Sequence, residues 1–346
     1  MSKTNKGLTL LALGIGAASM WRVYLRNKRA YDVSGKVVLI VGGSRGLGLI
    51  LARQLADEGA KLALCARGET ELAIAKAELE ARGAQVLTMT CDVTEKTQIE
   101  SVVAQTAAHF GALDVLFYVA GVFIAGPIES MTDDDFEYSM KVNFWGAYHS
   151  TMSALPYLKK RGGRVVHISS VGGRTATPHL LPYNASKFAL TGLSQGLRVE
   201  LEKDNVLVTT VYPWVMRIGS LRNAQFKGRH RAEYAIGAVM NANRLLSDDP
   251  ERAARAMIAA MKRGDASATL WYSKAAILLD TLLPEISADV MSLANRLMPK
   301  FEGEDSIGKE SRRGYESESE LSQSPLTAPL ERAAENFNEM VESSIE

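Results

Sequence analysis

Short apolar runs alternate with stretches of helical periodicity from Lys36 to Tyr272, and this alternation leaves few folds open. The first run, KVVLIV over 36–41, ends in glycines. The stretch that follows puts Leu47, Ile50, Leu51 and Leu55 on one helical face. Further strands are expected over 61–66, 85–91, 113–119, 164–169, 206–212 and 268–272, with helices over 69–82, 95–110, 133–160, 183–203 and 249–263. Strands apolar on both faces and separated by helices imply a parallel sheet covered on both sides. Right-handed crossovers then give a doubly wound α/β sheet of about seven strands, with its ligand crevice at the carboxyl ends of the strands. One domain over 33–272 is expected.

The two ends differ from this middle. A charge-free apolar run, Leu8 to Trp21, lies between Lys3 and Lys6 and the basic group Arg22, Arg26, Lys28 and Arg29. At 14 residues it falls short of the roughly 20 that cross a bilayer. Extended to Leu25 with Arg22 snorkelling, residues 8–25 are expected to form an apolar helix within 1–30 that spans or lies in a membrane, with the main body on the cytoplasmic side. A helix packed on the body or on a partner, and a cleaved signal, are the alternatives; without an anchor the expectation is a cytoplasmic protein. From 301 to 346, twelve acidic residues against four basic ones, rich in Ser and Glu, lead us to expect an acidic disordered tail, with a short helix over 330–340. Net charge is +1, from 40 Lys and Arg against 39 Asp and Glu, so no basic field directs the chain to nucleic acid. Cys65 and Cys91 lie in strand-like runs without metal-ligand spacing; both are expected to be buried, and no metal is expected.

Directly after the first strand comes Gly42-Gly43-Ser44-Arg45-Gly46-Leu47-Gly48, opening a helix. A tight turn, close backbone approach to a pyrophosphate and helix-on-strand packing all require glycine there. Free N–H groups and the positive helix end then hold the phosphates. Arg67 follows the second strand, where a carboxylate would bind the ribose 2′-hydroxyl of NAD; a guanidinium there, with Arg45, pairs with a 2′-phosphate and favours NADP(H) over NAD(H). Asp92-Val93, after the third strand, can accept from the adenine amino group and cover its ring, and Asp92 can equally cap the next helix.

Tyr183 and Lys187, at i and i+4, share one helical face, so that an ammonium beneath the phenol, with the positive charge of an oxidised nicotinamide, favours phenolate and lowers its pKa. Ser170 ends the preceding strand thirteen residues before Tyr183, and Asn143 lies twenty-seven residues before Ser170. Taken together, the glycine loop and the order and spacing of Asn143, Ser170, Tyr183 and Lys187 resemble the short-chain dehydrogenase/reductase family over about 35–213. The resemblance implies a Rossmann-like catalytic domain that exchanges hydride between nicotinamide and a carbonyl or alcohol. It makes Tyr183 the general acid or base and Lys187 a ligand of the nicotinamide ribose. Ser170 would polarise the carbonyl, and Asn143 would hold a proton-relay water. Ala120, Gly121 and Pro213 join Gly42, Ser44, Arg45, Gly46, Leu47, Gly48, Arg67, Asp92 and Val93 as expected cofactor contacts.

Three positions depart from the family. Val41 stands for the usual Thr, Tyr118-Val119 for a pair of Asn, and Trp214 for the Gly after Pro213. Residues 217–246 occupy the place of a substrate lid, with a basic stretch over 226–231. His179 is a candidate pocket residue, though a loop histidine without a role is the plainer reading; His167 reads as a satisfied strand residue. Beyond the last strand, 273–300 forms an apolar helical extension whose stripe (Ala276, Ile277, Leu279, Leu283, Ile286, Val290, Leu293, Leu297) suits core packing, a dimer face or a membrane-facing entrance. The expected substrate is a small carbonyl or alcohol, lipid-like by this pattern, and a homo-oligomer is expected. Two alternatives remain: a reductase of small keto compounds without a membrane anchor, and a catalytically silent dinucleotide-sensing scaffold.

Overall fold

The computed structural model describes residues 16–17, 19–301 and 306–340. Its central sheet holds β1 (Val37–Val41), β2 (Lys61–Ala66), β3 (Val86–Thr90), β4 (Val115–Tyr118), β6 (Arg164–Ile168), β7 (Leu207–Tyr212) and β9 (Ser267–Thr269). All seven are parallel, in the order β3-β2-β1-β4-β6-β7-β9. The chain order reverses between β1 and β4, which opens a crevice at their carboxyl ends. The last expected strand is shorter than 268–272, because the backbone turns into a helix at Trp271.

Alternation along each strand divides the core into two layers. Val38, Ile40, Leu62 and Leu64 point to one face, against α1 (Gly46–Asp57) and α8 (Pro250–Lys262). Val37, Leu39, Val41 and Ala63 point to the other, against α3 (Lys96–Phe110), α5 (Gly146–Leu158) and α6 (Leu181–Leu201). Asp249 starts α8 by accepting from Arg252 N–H at 2.9 Å, with Pro250 at the first helical position, where no N–H is needed. The helix expected over 133–160 is interrupted. α4 (Asp133–Met140) runs into a π-helical turn, Lys141–Trp145, before α5 resumes. Such a turn rotates the side chains it carries, and this one carries Asn143.

A smaller layer caps the crevice. Strands β5 (Ile124–Ala125), β8 (Gln225–Phe226) and β10 (Arg312–Arg313) form a second sheet, and α7 (His230–Ala242) packs Tyr234 and Ala238 against Phe226. The 217–246 segment is therefore built of ordered elements. Within its basic stretch, Lys227 is buried and bonds Asp135.

Two terminal expectations change. The acidic segment, expected to be a disordered tail, is folded onto the body over its described residues, through β10 and α11 (Ala328–Asn336). Leu330, Ala333, Ala334 and Phe337 recur at helical spacing, and this single apolar stripe is buried despite the polar average. In the extension, α9 (Trp271–Leu282) and α10 (Pro284–Arg296) form a hairpin whose stripe is largely exposed, not core: Leu293 is 59% and Leu297 79% accessible. Half of the apolar run over 8–25 lies outside the described residues. Among the described residues no helix is long and apolar enough to cross a membrane. Residues 19–28 are helical, and their basic flank holds the body: Arg26 pairs with Asp265 at 2.9 Å and Arg29 with Glu202.

Candidate active site

A single cavity of about 710 Å³ runs along the carboxyl ends of the sheet, from the glycine loop past Tyr183 to α10. The loop's close packing explains two of its glycines. A Cβ on Gly48 would lie 1.9 Å from Gly42 O, and one on Gly42, at φ +86°, would lie 2.6 Å from Ala120 N. Strand, loop and helix can thus meet only without side chains there. Ser44, Arg45, Gly46, Leu47, Arg67, Asp92, Val93, Ala120, Gly121, Ser170, Lys187 and Pro213 share this cavity with Gly42, Gly48 and Tyr183. Asn143 lies behind its wall.

Arg67 is exposed and donates to Tyr138 Oη at 3.2 Å. Arg45 reaches Asn223 Oδ1 at 3.2 Å and the buried Glu71 at 3.5 Å; burial lowers its pKa, against the opposing pull of Glu71 and Glu339. Asp92 accepts from Thr94 N–H at 2.8 Å and from Thr94 Oγ1 at 2.9 Å, so its side chain is used in ordering the turn before α3. Glu71 and Asn223 were absent from the sequence expectations. Glu71 reads as one more acid of a helix start, and only the fold turns it beneath the loop.

Around Tyr183 the groups converge from three elements. Ser170 begins the turn after β6, its Oγ accepting from Gly172 N–H at 3.1 Å, and its hydroxyl acts to lower the Tyr183 pKa. Phe123 packs edge-on against the Tyr183 ring, with centroids 5.2 Å apart. Lys187 is buried; its Nζ lies 5.7 Å from the phenol ring centroid and donates to Ile168 O at 2.9 Å. Burial raises the Tyr183 pKa, and the Ser170 hydroxyl only partly reverses this, while burial drives Lys187 down to about 7. The phenol is therefore not lowered by the protein alone, as the lysine's proximity had led us to expect. Desolvation is the leading cause at both groups.

Asn143 is held on all sides. Its Nδ2 donates to Val122 O at 3.0 Å and to Ser186 Oγ at 2.9 Å, and its Oδ1 accepts from Val122 N–H at 3.0 Å. It ties the loop between β4 and β5 to α6, and both amide hydrogens are taken. Of the departures, Tyr118 is fully buried and donates to Val142 O, anchoring β4 to the π-helical turn. Trp214 donates to Leu246 O at 2.8 Å, bracing the end of the cap. His167 is half-satisfied: Nε2 meets Thr151 Oγ1 at 2.9 Å, Nδ1 has no partner, and burial pushes its pKa down to about 3. His179 lines the cavity with φ +59° and pairs with buried Glu233 at 2.6 Å. Cys65 and Cys91 are free and buried, and among the described residues no His, Cys, Asp and Glu group could hold a metal ion.

Comparison with known proteins agrees with this geometry. The short chain dehydrogenase family model matches residues 36–228. A tropinone reductase homolog of Arabidopsis thaliana is 34% identical over 226 residues, covering 64% of this chain and 84% of the relative. The 11-beta-hydroxysteroid dehydrogenase A of Sesamum indicum is 38% identical over 184 residues, 53% of each chain. A crystal structure of an actinorhodin polyketide ketoreductase variant with NADPH superposes with a TM-score of 0.58 at 28% identity, covering 67% of this chain and 92% of that one. The chain belongs to the short-chain dehydrogenase/reductase family and is an oxidoreductase that interconverts carbonyl and alcohol groups of small molecules with a nicotinamide dinucleotide.

Proposed function

We propose that the protein is an NADP(H)-dependent carbonyl reductase or alcohol dehydrogenase of lipophilic substrates, with Tyr183 as its general acid and base. One observation carries this reading: the glycine loop, Tyr183 and an apolar chamber share one continuous cavity. Gly42 through Gly48 suit the dinucleotide because a glycine turn that opens α1 is where a pyrophosphate meets backbone N–H groups and the positive helix end. When bound, the dinucleotide supplies or accepts the hydride. Tyr183 keeps its proton at neutral pH, because burial holds its pKa up, and gives it to the carbonyl oxygen. Ser170, whose hydroxyl acts on the same phenol, orients that oxygen. Lys187, titrating near neutrality one helical turn away, holds the proton that returns to the phenol. Asn143 positions α6 and the Val122 loop through its three side-chain hydrogen bonds.

Arg67 and Arg45 support the phosphorylated cofactor, since both stand at the end of β2 and in the loop beside it. The far chamber supports an apolar substrate. Met240, Met291, Ala294 and Met298 line it, Met291 and Ala294 on α10 of the exposed hairpin and Met298 just beyond it. The test is oxidation of NADPH and NADH, in parallel, by short and long-chain ketones. Turnover with NADPH that improves with chain length is expected, and Arg67→Asp should shift preference toward NADH. Unchanged selectivity in Arg67→Asp, or activity confined to the smallest ketones, would contradict the reading.

A further inference from the structure

The loop read above as the phosphate cradle already has an occupant. Gly46 N–H, at the start of α1, donates to Phe337 O at 2.8 Å. Asn338, at φ +59°, sends its Nδ2 to Ser44 O and to Glu71 O, both at 3.0 Å. Glu339 then turns its carboxylate inward. A Cβ on Gly46 would lie 3.0 Å from Glu339 Oε1, and Glu339 Oε2 accepts from Gly219 N–H at 2.6 Å. Glu339 is 3% exposed and lines the same cavity as the loop. The Phe337 carbonyl thus takes the first N–H of α1, and the Glu339 carboxyl fills the space over Gly46, where a phosphate would approach.

The docking is specific. Phe337 joins the core layer of α1, and Arg53 donates to Asn336 O at 2.8 Å. Asn223 donates to Glu339 O at 3.2 Å while accepting from Arg45. Ala334 sits against Gly219 so closely that a Cβ on that glycine would lie 2.5 Å away. The tail thus takes Gly46 N–H and, through Asn223, one of the two arginines offered to the cofactor. Burial raises the Glu339 carboxyl to about 8, so at neutral pH it competes with a phosphate for the buried space over the loop and not by charge.

We propose that Phe337–Glu339 is a built-in ligand of the glycine loop that competes with the dinucleotide, so that cofactor binding requires the C-terminal segment to leave. This inference rests on the reading of the loop as the dinucleotide site. Binding is then weakened by the fraction of molecules whose loop is free, and any partner or modification that captures α11 turns the enzyme on.

The test uses the full chain in two measurements. Amide hydrogen exchange of residues 327–340 is followed with and without saturating NADPH or NADH. Dinucleotide titrations compare the wild type with Asn338→Pro, whose ring excludes φ +59°, and with Glu339→Ala. Faster exchange of the segment on dinucleotide binding is expected, with affinity rising about tenfold or more in Asn338→Pro and in the same direction in Glu339→Ala. Unchanged or slowed exchange, with affinity unchanged or reduced in both variants, would overturn the competition and leave the cofactor reading standing. Failure of every form to bind either dinucleotide would overturn both. The wild-type exchange measurement decides the matter even where a variant does not fold.

Discussion

Lys187 carries a charge into a place that disfavours it. Its folded pKa of about 7 lies below the ordinary 10.5, so between these values the unfolded chain binds more protons and stability rises with pH. Below about 7 the buried charge costs the native state in full; above 10.5 that cost is gone. Replacing Lys187 by Met removes the titration. Urea unfolding of both proteins without dinucleotide should therefore show the advantage of Lys187→Met shrinking from pH 7 to pH 10, on the order of 1.4 kcal/mol for each unit crossed. A pH-independent difference would show that the ammonium is not desolvated as the structure places it. Activity should be lost in the same variant at every pH. Tyr183 and Lys187 were legible as a pair because i, i+4 spacing fixes a shared face whatever the tertiary structure. Their pKa values were not, because desolvation depends on what packs over them, and only the fold supplies that.

At the scale of elements, the apolar runs were sufficient for the sheet: β2 spans the expected residues, and the other core strands fall within their expected ranges apart from β9, which starts one residue earlier. What the runs could not show was how β4 and the broken helix are joined. Tyr118 takes a place expected of an amide, and its hydroxyl reaches the carbonyl of Val142 inside the π-helical turn that carries Asn143. Gly146 leaves room for this, since a Cβ there would lie 2.2 Å from Tyr118 Oη. Tyr118→Phe should cost about 1–2 kcal/mol, by stranding a buried carbonyl. Gly146→Ala should cost about 1–3 kcal/mol through overpacking. The two should not add, because removing the hydroxyl relieves the closest clash; a double-mutant cycle read by chemical denaturation checks this. Strict additivity would mean that the hydroxyl and the Gly146 gap act independently.

At the scale of the whole molecule, the doubly wound sheet places three things along one crevice. They are a bare glycine turn, a phenol with its serine and lysine, and a chamber walled by methionines. The first two were readable because local spacing encodes them. The acidic segment was misread because average polarity hid one apolar stripe, Leu330, Ala333, Ala334 and Phe337, whose i, i+3, i+4, i+7 recurrence was the available signal. The hairpin stripe was left open between core packing, a dimer face and a membrane-facing entrance, and of these the structure excludes the core, since its Leu and Ile residues stay on the surface. Burial of a stripe depends on whether a complementary face exists, which sequence periodicity does not state. The claim joining these parts is that Tyr183 exchanges a proton with the substrate beside the bound dinucleotide. Its most direct test follows transfer of deuterium from 4-deuterated NADPH to a long-chain ketone in the wild type and in Tyr183→Phe, with dinucleotide affinity measured in both. Label should reach the alcohol carbon with the wild type, while Tyr183→Phe binds NADPH equally well and transfers label at least a hundredfold more slowly, the lower end of a general acid's contribution. Equal rates of label transfer in the two proteins would contradict the assignment.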